Sequence, residues 1–130
     1  MADYPTHKNL QVWSKSISFV KDIYLITRAF PKDEMFGLTS QLRRAAVSIP
    51  SNIAEGNGRG SKKDLIRFLY IAIGSAAEIE TQLIICHEIG LINGKDFDQL
   101  ISQIHEIIRM ATALANNKKK ELDKSEVDND

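Results

Sequence analysis

The sequence predicts an all-α chain folded as an antiparallel up-down-up-down four-helix bundle. Three observations carry that expectation. Apolar residues recur at three- and four-residue steps along four long stretches, and Gly or Pro interrupts them at few places, Pro5, Pro31, Asn57 to Gly60 and Gly90 to Gly94. No stretch alternates apolar and polar residues as a half-buried strand does. Short connections between long amphipathic helices make sequential helices antiparallel neighbours. The bundle domain is expected over residues 1–116, and residues 117–130, with Lys118 to Lys120 followed by five acids, are expected to be a disordered charged tail.

The first helix is expected from about Lys8 to Ala29, with Leu10, Trp13, Ile17, Val20 and Tyr24 forming one apolar row. A second row, Val12, Phe19, Ile23, Ile26 and Phe30, lies beside it. Together they exceed the stripe that one core contact needs, so the surplus reads as an oligomer contact, with Phe19 and Ile23 in it. The second helix is expected from Asp33, whose acidic pair with Glu34 suits a helix N-terminus, and turns Met35, Leu38, Leu42, Ala45, Ile49 and Ile53 inward. Pro50 lacks an amide hydrogen and crowds the Ala46 carbonyl, which predicts a kink within one continuous element because the apolar period resumes at Ile53; a break into two helices is the alternative. A semi-apolar strip of Phe36, Arg43, Val47 and Ala54 extends the expected interface.

Ser61 followed by Asp64 resembles a capping box and opens the third helix, whose seam is Leu65, Leu69, Ala72, Ala76, Ile79, Leu83 and Cys86. From Ser61 to about Ile89 it would be roughly 43 Å long, and Gly90 suits a left-handed C-cap. Asn93-Gly94 makes the last turn, and the fourth helix carries Phe97, Leu100, Ile101, Ile104, Ile108, Ala111 and Leu114 on one face.

The chain of 130 residues has 17 Lys+Arg against 17 Asp+Glu, a zero formal charge that excludes a uniformly polybasic protein. With 43% hydrophobic and 26% charged residues it has the composition of a globular domain. The single Cys86 precludes an intrachain disulfide, the start lacks a secretory pattern, and the weakly polar run Phe68 to Ala77 is short of the roughly 20 residues that span a bilayer. A cytoplasmic protein without membrane contact is expected.

Catalysis is not expected. Di-iron bundles use Glu-x-x-His, which this sequence lacks, and no Cys/His cluster has zinc spacing. No histidine has an arginine four to six residues upstream, as helical toxin ribonucleases do. Glu80 and His87 both fall near the centre of the third helix's apolar face, but about 10 Å of rise separates them. A structural role is expected instead, with Glu80 paired to an arginine such as Arg43. No catalytic residue, metal or cofactor is therefore assigned.

Charge by segment says more than the total. Residues 43–67 carry six cations and two acids, whereas residues 76–106 carry one cation and six acids. Arg44, Arg59, Lys62, Lys63 and Arg67 are the candidate phosphate contacts, with the exposed amides around Asn57 to Ser61 as further anion donors. For any one of these cations a solvated surface is the simpler reading; their concentration favours a polyanion.

The string Gln41-Leu-Arg-Arg-Ala-Ala-Val-Ser-Ile-Pro-Ser-Asn-Ile-Ala-Glu-Gly56 resembles the signature of 23S rRNA intervening-sequence proteins. Leu10-x-Val-Trp13, Phe36-Gly-Leu38, Gly58-Arg59-x-Ser61 and Gly74-Ser75-x-x-Glu78-x-Glu80-Thr-Gln-Leu83 match as well, so the resemblance covers about residues 8 to 115. It implies a bacterial four-helix bundle that assembles as a homopentamer and whose biochemical role is poorly defined. The accessory protein of diversity-generating retroelements is similar, and implies binding to nucleic acid through a basic surface. The expectation is a non-enzymatic oligomeric bundle that binds structured RNA or DNA weakly; the alternative is a protein-interaction scaffold.

Overall fold

A computed structural model describes residues 10–128, with the backbone alone described over 126–128. Among these residues every regular element is helical: α1 (Gln11–Thr27), α2 (Ser40–Gly58), α3 (Lys62–Glu88) and α4 (Gly94–Asp128). Each helix packs on the next, and α4 returns to α1, closing a four-sided bundle around one core.

Contacts between consecutive helices ascend along one partner as they descend along the other. Between α2 and α3, Gly56 meets Phe68, Ser48 meets Ser75 and Gln41 meets Gln82. Between α3 and α4, Tyr70 meets Lys119, Glu80 meets His105 and His87 stacks on Phe97. Between α4 and α1, Gln103 Nε2 donates to Asp22 Oδ2 at 2.9 Å and Lys15 lies 3.0 Å from Glu106.

In α1 it is the second apolar row that faces the core. Val12, Phe19 and Ile23 are buried together with Ser16 and Thr27. Both hydroxyls bond the helix's own backbone, Ser16 Oγ donating to the Trp13 carbonyl at 2.7 Å and Thr27 Oγ1 to that of Ile23 at 2.7 Å. These local bonds let polar residues occupy an inward stripe that apolar periodicity does not reveal. Phe19 and Ile23, each 0% exposed, are core residues and cannot form the expected oligomer contact. The outer row is the partly exposed one, with Ile17 and Tyr24 at the surface.

The second helix also starts later than its acidic pair suggests. A 3₁₀ turn over Lys32–Glu34 and a π turn over Met35–Thr39 precede α2, and the Gly37 backbone leaves helical geometry at φ −116° and ψ −116°. This break turns Met35 outward and leaves Phe36 97% exposed. Beyond it Leu42, Ala45, Ile49 and Ile53 are buried as their spacing predicts. Pro50 is buried inside α2, which runs unbroken through it.

Ser61 caps α3 by accepting from the Asp64 amide at 3.1 Å, and the whole seam from Leu65 to Cys86 is buried. At the other end Gly90, at φ +81°, lets the Leu91 amide reach the Cys86 carbonyl at 2.8 Å and the Gly90 amide that of His87 at 3.2 Å, a Schellman closure. By length and composition α3 is apolar enough to cross a membrane, but its seam packs against α2 and α4 as a bundle core helix does.

Asn93 caps α4, its Oδ1 accepting from the Asp96 amide at 2.7 Å. The buried stripe Leu100, Ile104, Ile107, Ala111 and Ala115 continues at the same spacing through the half-buried Lys118 and Leu122. Residues expected to be a disordered tail therefore prolong α4 to Asp128. A longer α4 is what covers the first turns of the 27-residue α3.

Candidate nucleic-acid interface

Because α2 and α3 meet at the link between Gly58 and Lys62, the C-terminal turns of one and the N-terminal turns of the other form a single end of the bundle. Arg59, Lys62, Lys63 and Arg67 are all exposed there. Arg59 Nε donates to Glu55 Oε2 at 3.2 Å, and Arg67 lies 3.7 Å from Asp64. Both guanidinium groups also cover the Phe68 ring, at 5.2 and 4.5 Å from its centroid. Cation–π contact of this kind holds an arginine over apolar surface while its N–H groups stay available to an anion.

Two further cations reach this end from α4. Lys119 Nζ donates to the Tyr70 hydroxyl and sits 4.6 Å from that ring's centroid. Lys118 and Lys62 converge on one atom, Glu121 Oε2, at 3.4 and 3.6 Å. A small cavity of about 190 Å³, lined by Gly56, Asn57, Gly60, Leu65, Lys62 and Lys118 among others, opens between them. Six cations (Arg59, Lys62, Lys63, Arg67, Lys118, Lys119) thus share one surface with three carboxylates that pair with them (Glu55, Asp64, Glu121), an excess of +3.

The sequence placed four of these six together and missed the two lysines, since a disordered tail has no fixed neighbour. Their signal was the α3–α4 hairpin itself: extending α4 without a break returns Lys118 to Lys120 alongside the start of α3.

Arg44 lies elsewhere. Fifteen residues before Arg59 on α2, it is roughly 22 Å along the helix from it. There it lines a groove of about 490 Å³ with Tyr24, Met35, Phe36, Ser40, Arg43 and Val47. Three residues expected at an oligomer interface, Phe36, Arg43 and Val47, are brought together in this groove. Arg43 does not meet Glu80: its Nε donates to Thr27 Oγ1 at 2.9 Å and its guanidinium lies 4.5 Å over the Tyr24 ring, tying α2 to α1. Glu80 is half-buried and pairs with His105 of α4, while His87 is exposed and stacks on Phe97 at 4.4 Å between ring centroids. Neither occupies the core position that the helical wheel suggested: the buried seam runs through Ile79, Leu83 and Cys86 as its spacing predicts, and Glu80 and His87 lie beside it, against α4.

Cys86 is 0% exposed, and burial, followed by the charge of Glu34, pushes its thiol up to about 11. A thiol held neutral in this way is a poor nucleophile.

The family model of the 23S rRNA-intervening sequence proteins matches residues 8–113. No curated protein matches the sequence. Among solved structures, a protein of unknown function from the S23 ribosomal protein family of Bacteroides thetaiotaomicron VPI-5482 superposes with a TM-score of 0.73 at 24% identity. The match covers 81% of this chain and 95% of that one, and shows a common fold.

Proposed function

We propose that this chain, which belongs to the 23S rRNA-intervening sequence protein family, is a non-enzymatic oligomeric bundle that holds the phosphate backbone of structured RNA or DNA at its α2–α3 end. The observation that carries the reading is the gathering of Arg59, Lys62, Lys63 and Arg67 with Lys118 and Lys119 at one end of the bundle, drawn from the α2–α3 link, α3 and α4. Phosphate contact needs several cations at polymer spacing and no base-specific group, and supplies affinity that falls steeply with salt. Weak, shape-directed binding suits a surface with an excess of only +3 per chain.

The reading extends to the arrangement of the chain and of its copies. The opposed contact order of successive helices supports an antiparallel up-down-up-down bundle. The groove around Phe36 supports self-association, for which we adopt the homopentamer and the bacterial cytoplasm that the family resemblance implies; the kinship to the retroelement accessory protein belongs to the same reading. Copies in a ring would repeat the basic end and strengthen its field.

Salt-titrated binding to a ribosomal RNA stem and to an unrelated duplex tests the proposal. Each phosphate contact contributes roughly −0.9 to the log–log salt slope on B-DNA, so Lys63→Glu and Arg67→Glu flatten the slope whereas Arg44→Glu, far from the basic end, changes it less. Slopes unmoved by Lys63→Glu and Arg67→Glu overturn it.

A protein-interaction scaffold is the second reading, favoured by the 97% exposure of Phe36 beside a groove with two arginines. Co-purification of one protein that persists after nuclease treatment would support it.

A further inference from the structure

We infer that the extension of α4 regulates the basic end by placing a carboxylate of the chain where a phosphate would otherwise bind; the inference rests on the phosphate-binding reading above. Glu121 Oε2 receives Lys62 Nζ at 3.6 Å and Lys118 Nζ at 3.4 Å. One anionic oxygen therefore answers two ammonium groups from two different helices, the role a non-bridging phosphate oxygen would take. The same two lysines line the small cavity with Gly60 and Asn57.

The same segment is anchored two residues earlier by Lys119, which donates to Tyr70 and lies over its ring. The α4 extension is thus docked on α3 by a cation on an aromatic ring, and that docking presents Glu121 to Lys62. A nucleic-acid backbone entering the basic end meets like charge at Glu121 and must displace it before Lys62 and Lys118 are free. Exposed ion pairs of this kind are weak, so the extension attenuates binding without abolishing it. It also makes access to the site responsive to anything that frays the end of α4.

Fluorescence anisotropy with a short labelled RNA duplex at low salt tests this on the full chain. Glu121→Gln, at an exposed helical site that tolerates glutamine, is expected to tighten binding roughly three- to tenfold, the scale of one or two surface pairs. Asp123→Asn removes the same charge two residues further along α4, on the opposite side of the helix, and is expected to change affinity less than twofold. The Glu121→Gln gain should vanish when Lys62 and Lys118 are both glutamine.

Equal affinities of the wild-type protein and Glu121→Gln, both binding, overturn the inference and leave the phosphate-binding reading standing. Equal gains from Glu121→Gln and Asp123→Asn also overturn it, because net charge rather than the pairing would then be the cause. Absence of binding by every variant overturns the phosphate-binding reading and this inference with it.

Discussion

Gly56 of α2 and Phe68 of α3 approach so closely that a Cβ on Gly56 would lie 2.6 Å from the Phe68 Cβ and 3.2 Å from the Leu65 Cα. Neither atom is the free end of a flexible side chain, so relief requires the two helices to separate. This approach sets the spacing at the end of the bundle where the cations collect, and it gives the glycine that ends the Ala54-Glu55-Gly56 string a packing role.

Gly56→Ala is therefore expected to destabilise the fold. Alanine gains about 1 kcal/mol in helix propensity, but overpacking a fitted contact costs about 1–3 kcal/mol and more where backbone must move. The clash wins. Gly58, with nothing within 4 Å of its added Cβ, is the comparison: Gly58→Ala should be neutral or slightly stabilising. Urea midpoints of the two variants measure the difference, and equal midpoints would contradict the close-approach argument.

Cys86 predicts a loss of stability in alkali. Its thiol ionises at about 11 when folded against 9.0 for the ordinary value, so between those values the unfolded chain binds fewer protons than the folded one. Stability is fully present below pH 9 and falls as pH rises through the interval, by at most about 2 to 3 kcal/mol. Urea unfolding of the wild-type protein and of Cys86→Ala across that interval should show the wild type losing ground relative to the variant. Parallel pH profiles would sink the assignment. A thiol reagent should leave the native protein unlabelled at neutral pH and label it once unfolded.

The groove around Phe36 predicts the behaviour of copies in solution. Phe36→Asp alters a side chain that is 97% exposed in the single chain, so circular dichroism should show unchanged helix content. Light scattering should fall from an oligomeric mass toward the 14.6 kDa of one chain. A wild-type protein already at that mass removes the self-association proposal.

Much of the fold was legible because helix periodicity and end signals are local. The α3 seam, its Ser61 cap and its Gly90 closure followed from spacing and residue type, and each is found where those features put it. The α1 face was misread because Ser16 and Thr27 sit inward, satisfied by their own helix's carbonyls. The α4 extension differs from the expectation because composition alone cannot register a neighbour: the charged run continues as helix with Lys118 and Leu122 half-buried, and its Lys119 and Glu121 meet Tyr70 and Lys62 of α3. Of the candidate site, the α2–α3 link and its four cations were visible, since residues adjacent in sequence at a helix junction are adjacent in space.

The sequence by itself determined that this protein is helical, where its strongest caps lie and which segment is basic, since these depend on periods and contacts within a few residues. Tertiary structure decided which cations share a surface. Arg44 of α2 and Arg59, the residue that follows α2, lie roughly 22 Å apart, whereas Lys62 and Lys118, from different helices, converge on a single carboxylate oxygen of Glu121. The physical reason is that electrostatic action depends on distance in space. Only the packing of α4 against α3 converts residues far apart in the chain into one charged surface.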